Sequence, residues 1–191
     1  MNVVAFNGST RAKGNTAILL NTVLDELKNE GIRTELISLA GKTFPGCCAC
    51  YKCFETKDGR CTVTGDMVNE CIDKMHAADG ILLGSPTYFS DVTAGMKALI
   101  ERAGMTARAN PEILRQKVGA GVVAVRRAGA MHAFTSLNLF FLIGEMFVVG
   151  SSYWNIGIGR EAGEVENDVE GIGTMKALGR NMAWLLKRIH G

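Results

Sequence analysis

The first stretch of the chain narrows the fold more than any other. Val3-Val4-Ala5-Phe6 is a short apolar run, the right length for a buried strand. It leads directly into Gly8-Ser9-Thr10-Arg11-Ala12-Lys13-Gly14-Asn15-Thr16, which is polar and glycine-bearing. From Ala17 to Glu30, Leu20, Val23, Leu24 and Leu27 recur three and four apart, the spacing of one helical face. Strand, loop and helix in that order put unpaired N–H groups and the positive helix end at the loop. The hydroxyls of Ser9, Thr10 and Thr16, the Asn15 amide and the charges of Arg11 and Lys13 join them there. That collection suits a phosphate. A solvated turn followed by a helix capped at Asn15 fits the same residues.

Two familiar phosphate loops do not match. A nucleoside-triphosphatase loop requires Lys and then Ser or Thr directly after the second glycine, whereas Asn15-Thr16 follow Gly14. The dinucleotide fingerprint requires three glycines as G-x-G-x-x-G, and only Gly8 and Gly14 are present. A hydroxyl-rich loop for one phosphate monoester remains. An enzyme cleaving that monoester lacks a nucleophile here, since no Cys or Asp lies between Gly8 and Thr16.

The rest of the chain continues the alternation. Arg33 to Leu39 reads as a second strand, Gly80 to Gly84 as a third, Val118 to Val125 as a fourth and Phe147 to Val149 as a fifth. Helices are expected at about 66–76, 92–102, 133–142 and 173–189, with 153–169 irregular. The third strand is apolar on both faces, as in a parallel sheet. This pattern predicts an α/β fold with a five-stranded parallel sheet in the order 2-1-3-4-5 between two helical layers. The loops after strands 1, 3 and 4 then meet at one crevice. They are Ser9–Thr16, Ser85–Ser90 and Arg126–Ala130, each polar or glycine-bearing. In the last of these Arg126 and Arg127 fit a solvated face as well as a ligand, and Gly129 allows close backbone approach. His132, just beyond, reads as an ordinary residue at a helix start.

At 191 residues the chain is expected to be one domain. A net charge of +2 gives no field for nucleic acid or an anionic membrane. The most apolar segment, Leu137 to Val149, is interrupted by Gly144 and Glu145 and is too short to span a bilayer. With no signal peptide visible at the N-terminus, a soluble cytoplasmic protein is expected. Six cysteines in such a chain point to metal or redox chemistry or to buried thiols, not to a disulfide scaffold.

Five of the six lie in the long aperiodic stretch 40–65. Cys47, Cys50 and Cys53 step by three, and Cys61 follows seven residues later. The run is similar to the C-x₂-C-x₂-C ligation pattern of ferredoxins. Zinc held by four thiolates fits the same set, and so do free thiols packing a loop. Cys48 falls outside the spacing, and Cys71 sits on the inward face of its helix.

Taken together, the Gly-Ser-Thr-Arg-x-x-Gly-Asn-Thr loop and the Gly-Ser-Pro-Thr-Tyr-Phe loop at 84–89 resemble the NAD(P)H-dependent FMN reductases, a flavodoxin-like group. With the cysteine run, the resemblance is more narrowly to the iron–sulfur flavoproteins. It implies FMN in the crevice. Ser9, Arg11, Asn15 and Thr16 match that family's phosphate-binding positions, with the Thr10 hydroxyl at the same spot. Pro86, Thr87, Tyr88 and Phe89 match the loop along the ribityl chain and ring edge, and Arg127 and Gly129 join them from the loop after strand 4. Cys47, Cys50, Cys53 and Cys61 match the ligands of a [4Fe–4S] cluster that exchanges electrons with FMN. The resemblance further implies NAD(P)H or reduced ferredoxin as electron donor, a small-molecule or protein acceptor, and a homodimer or homotetramer. No side chain need act as acid or base. An NAD(P)H-dependent FMN or quinone reductase without a cluster, and a non-catalytic scaffold on the same fold, are the competing functions.

Overall fold

The structure, a computed structural model, describes residues 1–190. Its strands are β1 (Asn2–Asn7), β2 (Arg33–Ser38), β3 (Gly80–Pro86), β4 (Val118–Val125), β5 (Phe147–Val148) and β6 (Ile156–Ile158). Its α-helices are α1 (Asn15–Asn29), α2 (Lys52–Thr56), α3 (Val68–Ala77), α4 (Ala94–Ala109), α5 (Ala130–Ile143) and α6 (Val169–His190). All pairings between these strands are parallel, in the order β2-β1-β3-β4-β5, with β6 also on β4.

Alternate residues of the central strands point to opposite faces, which builds two cores. Val3, Ala5, Leu82, Ala120 and Val122 pack against Leu20, Val23 and Leu24 of α1 and Met175, Leu178 and Met182 of α6. Val4, Phe6, Ile81, Leu83 and Val123 pack against α3, α4 and α5 through Ile72, Met75, Leu99, Leu137 and Phe141. The result is the three-layer flavodoxin-like sandwich that the alternating sequence predicts. At the end of α1, Gly31 adopts φ +79°, and Gly31 N and Ile32 N donate to the carbonyls of Lys28 and Leu27. That closes the helix with a left-handed glycine cap.

The far edge of the sheet departs from the five-strand expectation. β5 pairs only with Val118 and Gly119, while β6 pairs with Val123 to Val125. One edge strand is thus split in two, and residues 150–155 leave the sheet between the halves. Asn155 bridges the gap: its Nδ2 donates to the Gly121 carbonyl at 3.0 Å, and its own carbonyl accepts from Val123 N at 2.9 Å. The expectation of an irregular 153–169 missed β6 because three residues carry no measurable periodicity. Its Gly157 packs closely: a Cβ there would stand 2.6 Å from Leu19 Cδ2 and 2.8 Å from Val165 Cγ2, so those side chains would have to move. Helix α4 also runs to Ala109, well past the expected end at Arg102. No helix among the described residues is long and apolar enough to cross a membrane.

Candidate functional site

β1 ends in Asn7, which is fully buried and braces the loop that follows. Its Oδ1 accepts from Ser9 N at 3.0 Å, and its Nδ2 donates to the Ala12 carbonyl at 3.3 Å. Ser9 Oγ in turn accepts from Arg11 N at 3.1 Å. Gly8 N donates to the Gly84 carbonyl, and Thr93 Oγ1 to the Gly8 carbonyl at 2.7 Å, so the loop is tied to β3 and to the start of α4. A side chain at position 8 would meet Met96 Cβ at 2.9 Å. The loop is therefore fixed by packing before any ligand arrives.

This loop forms one wall of an open crevice at the C-terminal rim of the sheet. Ser9, Arg11, Gly14, Asn15 and Thr16 line that wall. Pro86, Thr87 and Tyr88 line the second, and Ala124, Val125 and Arg126 the third. Gly159 and Arg160, just beyond β6, complete the lining. Three guanidinium-bearing residues thus face one opening. The first turn of α1 carries no acidic residue, and Gly14 at its N-cap supplies no side-chain acceptor. The N–H groups of Asn15 and Thr16, at the first two helical positions, have no intrahelical partner.

Most of the sequence-predicted residues converge here. Thr10 adjoins the crevice through its Oγ1, 3.0 Å from the Tyr88 hydroxyl. Asn15 lines the wall but does not cap α1; its Oδ1 accepts from Gly163 N at 2.9 Å and Val165 N at 3.5 Å. It ties the helix start to the segment after β6. Phe89 projects wholly into solvent at the crevice rim. Arg127 and Gly129 lie outside the lining, which Arg126 occupies instead. Gly129, at φ +85°, packs on Ser90: a Cβ there would be 2.6 Å from Ser90 Oγ. Sequence reasoning missed Gly159 and Arg160, because their approach to Asn15 depends on the split edge strand.

The second wall turns sharply. Tyr88 and Asp91 exchange both backbone hydrogen bonds, and the two residues between them, Phe89 (φ 49°) and Ser90 (φ 64°), are left-handed. That is a two-residue hairpin of the kind normally made by Asn-Gly. Bulky residues in this region carry strain of about 1–3 kcal/mol each. Asp91 anchors the turn to α5. Its Oδ1 accepts from Val92 N at 2.7 Å and Ser136 Oγ at 2.9 Å, and His132 Nε2 lies 3.5 Å from its Oδ2. Burial acts to raise the Asp91 pKa, but these hydrogen bonds and the nearby His132 hold it below the ordinary carboxylate value.

Two polar atoms in the crevice test whether a ligand fits. Thr16 Oγ1 and Thr87 Oγ1 are buried and have no hydrogen-bond partner. They sit on opposite walls, and buried hydroxyls in native proteins are almost always paired. Both residues line the crevice, so a partner for either hydroxyl would have to come from its side.

The cysteines form a separate site that shares no lining residue with the crevice. Cys47, Cys48, Cys50, Cys53 and Cys61 all border one small pocket, backed by Arg102, Met105 and Thr106 of α4. Cys48, outside the expected spacing, lines it as well. Among the described residues no three ligating side chains converge closely enough to hold a single ion. The donor set nevertheless fits a sulfur-rich centre. Ala49 and Tyr51, on either side of Cys50, are both left-handed. Such turns aim successive N–H groups into a concavity, as at many iron–sulfur sites. Ala49 N donates to Cys47 Sγ at 3.4 Å, and Thr62 Oγ1 lies 3.6 Å from Cys50 Sγ. The Lys52 backbone N–H and then the Thr62 hydroxyl lower the Cys50 pKa. Burial raises that of Cys53. Cys71 is buried in the α3 face and pushed up to about 12, mainly by burial, as befits a core thiol.

Comparisons with known proteins bear on the family and the fold. Residues 1–161 match the family described as NADPH-dependent FMN reductase. An iron–sulfur flavoprotein of Methanocaldococcus jannaschii is 40% identical over 197 residues, covering 99% of each chain. A second from the same organism is 30% identical over the full length of both. Among solved structures, a flavodoxin, WrbA-like protein from Agrobacterium tumefaciens superposes with a TM-score of 0.68. It covers 98% of this chain and 97% of its own at 15% identity, a likeness of fold. The fold and the match along residues 1–161 together place this chain in the NADPH-dependent FMN reductase family.

Proposed function

We propose that the crevice seats FMN and that the chain is a flavin oxidoreductase. The observation that carries this is the pair of buried, unpartnered hydroxyls, Thr16 Oγ1 and Thr87 Oγ1, on facing walls of a cationic crevice. Ser9, Thr16 and the first N–H groups of α1 would hold the phosphate, with Arg11 neutralising its charge. Thr10 and Arg160 stand beside that end, and Asn15 keeps the α1 start docked on Gly163. Pro86, Thr87 and Tyr88 would flank the ribityl chain and the ring edge. Phe89, Arg127 and Gly129 belong to the rim rather than the floor, where a ring edge or an incoming electron donor would meet them. FMN when bound supplies hydride and single-electron chemistry; the protein orients the ring, excludes water and sets the potential by hydrogen bonds. No acid or base side chain is required.

The whole chain serves as one flavin domain, with 40–65 carried on it as a cysteine-bearing insert. Cys47, Cys50, Cys53 and Cys61 would hold a [4Fe–4S] cluster, a reading supported by the shared cavity, the N–H groups directed at sulfur and the names of the relatives. NAD(P)H or reduced ferredoxin is the proposed donor, with a small-molecule or protein acceptor, in the cytoplasm. A homodimer or homotetramer is favoured by apolar side chains left exposed on α5 and β5, namely Leu139, Leu142, Ile143 and Phe147. Without iron, the same crevice supports a two-electron NAD(P)H–FMN or quinone reductase.

Anaerobic isolation followed by FMN, iron and sulfide analysis tests these assignments separately. Bound FMN with iron supports both sites, and FMN without iron supports the crevice alone. A chain that takes up neither leaves a non-catalytic scaffold.

A further inference from the structure

Arg102 heads the largest side chains that are fully enclosed in this protein, at 1% exposure. A buried guanidinium needs a partner for its charge, and Asp66 provides one: Nη1 donates to its Oδ2 at 2.5 Å. The other two nitrogens are also committed. Nη2 donates to the Val63 carbonyl at 2.7 Å, and Nε to Cys61 Sγ at 3.4 Å. Charge pairing with Asp66 does not demand the sulfur contact. That contact aims a cationic donor at the thiol of the residue that stands apart from the C-x₂-C-x₂-C run.

The backbone of Cys61 is held just as firmly. Asn69, itself 9% exposed, accepts from Cys61 N at 2.8 Å and donates to the Cys61 carbonyl at 2.8 Å. Cys47 and Cys50 lie in one loop, and Cys53 follows directly on the short helix α2. Cys61 arrives from a different segment, and α3 and α4 fix it from two sides. Hydrogen bonds and net charge at sulfur set the potential of an iron–sulfur centre, and outer partners orient its ligands.

On the reading of the cysteine cavity as a cluster site, we infer that Arg102 is its positioning residue. It holds Cys61 in ligating position and raises the cluster potential through the Nε–Sγ hydrogen bond, while Asp66 moderates that effect. A reduced cluster carries one more negative charge, so a cationic donor at sulfur favours reduction. The Asp66 carboxylate close by opposes it.

The test uses the anaerobically isolated protein with its FMN and iron, and the variants Arg102→Met, Arg102→Lys and Asp66→Asn. Iron and sulfide are counted, and the cluster midpoint is read by electron paramagnetic resonance during titration with dithionite. In Arg102→Met part of the iron should be lost with the hold on Cys61, and in the cluster that remains the one-electron equilibrium should move at least tenfold toward the oxidised form, about 59 mV. Arg102→Lys should recover part of that loss, and Asp66→Asn should move the midpoint the opposite way. Shifts of opposite sign are not expected from a merely structural residue. A full cluster with an unmoved midpoint in Arg102→Met overturns the inference. Should that variant not fold, an unmoved midpoint in Asp66→Asn overturns it equally. Native protein without iron removes the cluster reading and this inference with it, while leaving the FMN crevice standing.

Discussion

The Tyr88 hydroxyl lies 3.0 Å from Thr10 Oγ1, joining two loops that are 78 residues apart in the chain. The contact spans the mouth of the crevice, between the wall that would hold a phosphate and the wall that would hold a ring. It is exposed, so its worth is that of one ordinary hydrogen bond, about 0.5–1.5 kcal/mol. Tyr88→Phe is expected to speed FMN dissociation roughly two- to tenfold with the fold unchanged. Stopped-flow fluorescence of FMN release measures this, and an unaltered off-rate would detach the clasp from ligand binding.

Thr16→Val separates stability from binding. The Thr16 hydroxyl is buried without a partner, so an isosteric apolar side chain should leave the ligand-free protein as stable or more so. The same change removes a hydrogen bond to a charged phosphate, worth about 1.5–3 kcal/mol, or roughly 10- to 100-fold in affinity. Thermal melts of the ligand-free chain and FMN fluorescence titrations should therefore move in opposite senses. A variant that loses stability while binding FMN normally would show that the hydroxyl serves the fold instead.

Cysteine substitutions should sort by cavity. Cys50→Ser is expected to abolish iron retention while FMN stays bound. Cys71→Ser, on the buried face of α3, should keep the iron of the native protein. Cys48→Ser should keep it too, although Cys48 borders the cavity. Iron analysis after anaerobic isolation decides, and equal iron in native and Cys50→Ser protein contradicts the ligand set.

The Asp66–Arg102 pair gives a pH signature. Burial works against the Asp66 carboxylate, but the Arg102 hydrogen bond, the Val68 N–H and the Arg102 charge together hold its pKa below the ordinary value. A carboxyl with a depressed folded-state pKa stabilises the fold fully above its unfolded value. That contribution wanes as pH falls below about 4 and is gone beneath the folded value. Acid unfolding of the iron-free protein should therefore be less steep in Asp66→Asn. Arg102→Met, which leaves the part-buried Asp66 carboxylate without its cation, should lower stability at neutral pH in urea melts. Identical acid profiles for native and Asp66→Asn protein would argue against the pairing.

Much of this architecture is legible in the chain because the signals are local. The runs at 3–6, 80–84 and 118–125 are apolar on both faces and punctuated by polar loops, so strand order and the meeting of three loops follow from α/β rules. What escapes notice depends on contacts between distant residues. Asn15 reads as a helix cap, yet its amide is engaged 148 residues away by Gly163. β6 is three residues long and takes its identity from pairing with β4. Arg160 reaches the crevice only because that strand exists. Arg102 is expected at the end of its helix; α4 instead runs on to Ala109, and the guanidinium is enclosed beside Asp66.

The most direct test of the crevice is the visible spectrum of the chain isolated without oxygen, with FMN released by denaturation and counted per chain. Flavin bands and close to one FMN per chain are expected, with both lost when Ser9→Ala and Thr16→Val are combined. A colourless protein that takes up no added FMN would contradict the central assignment.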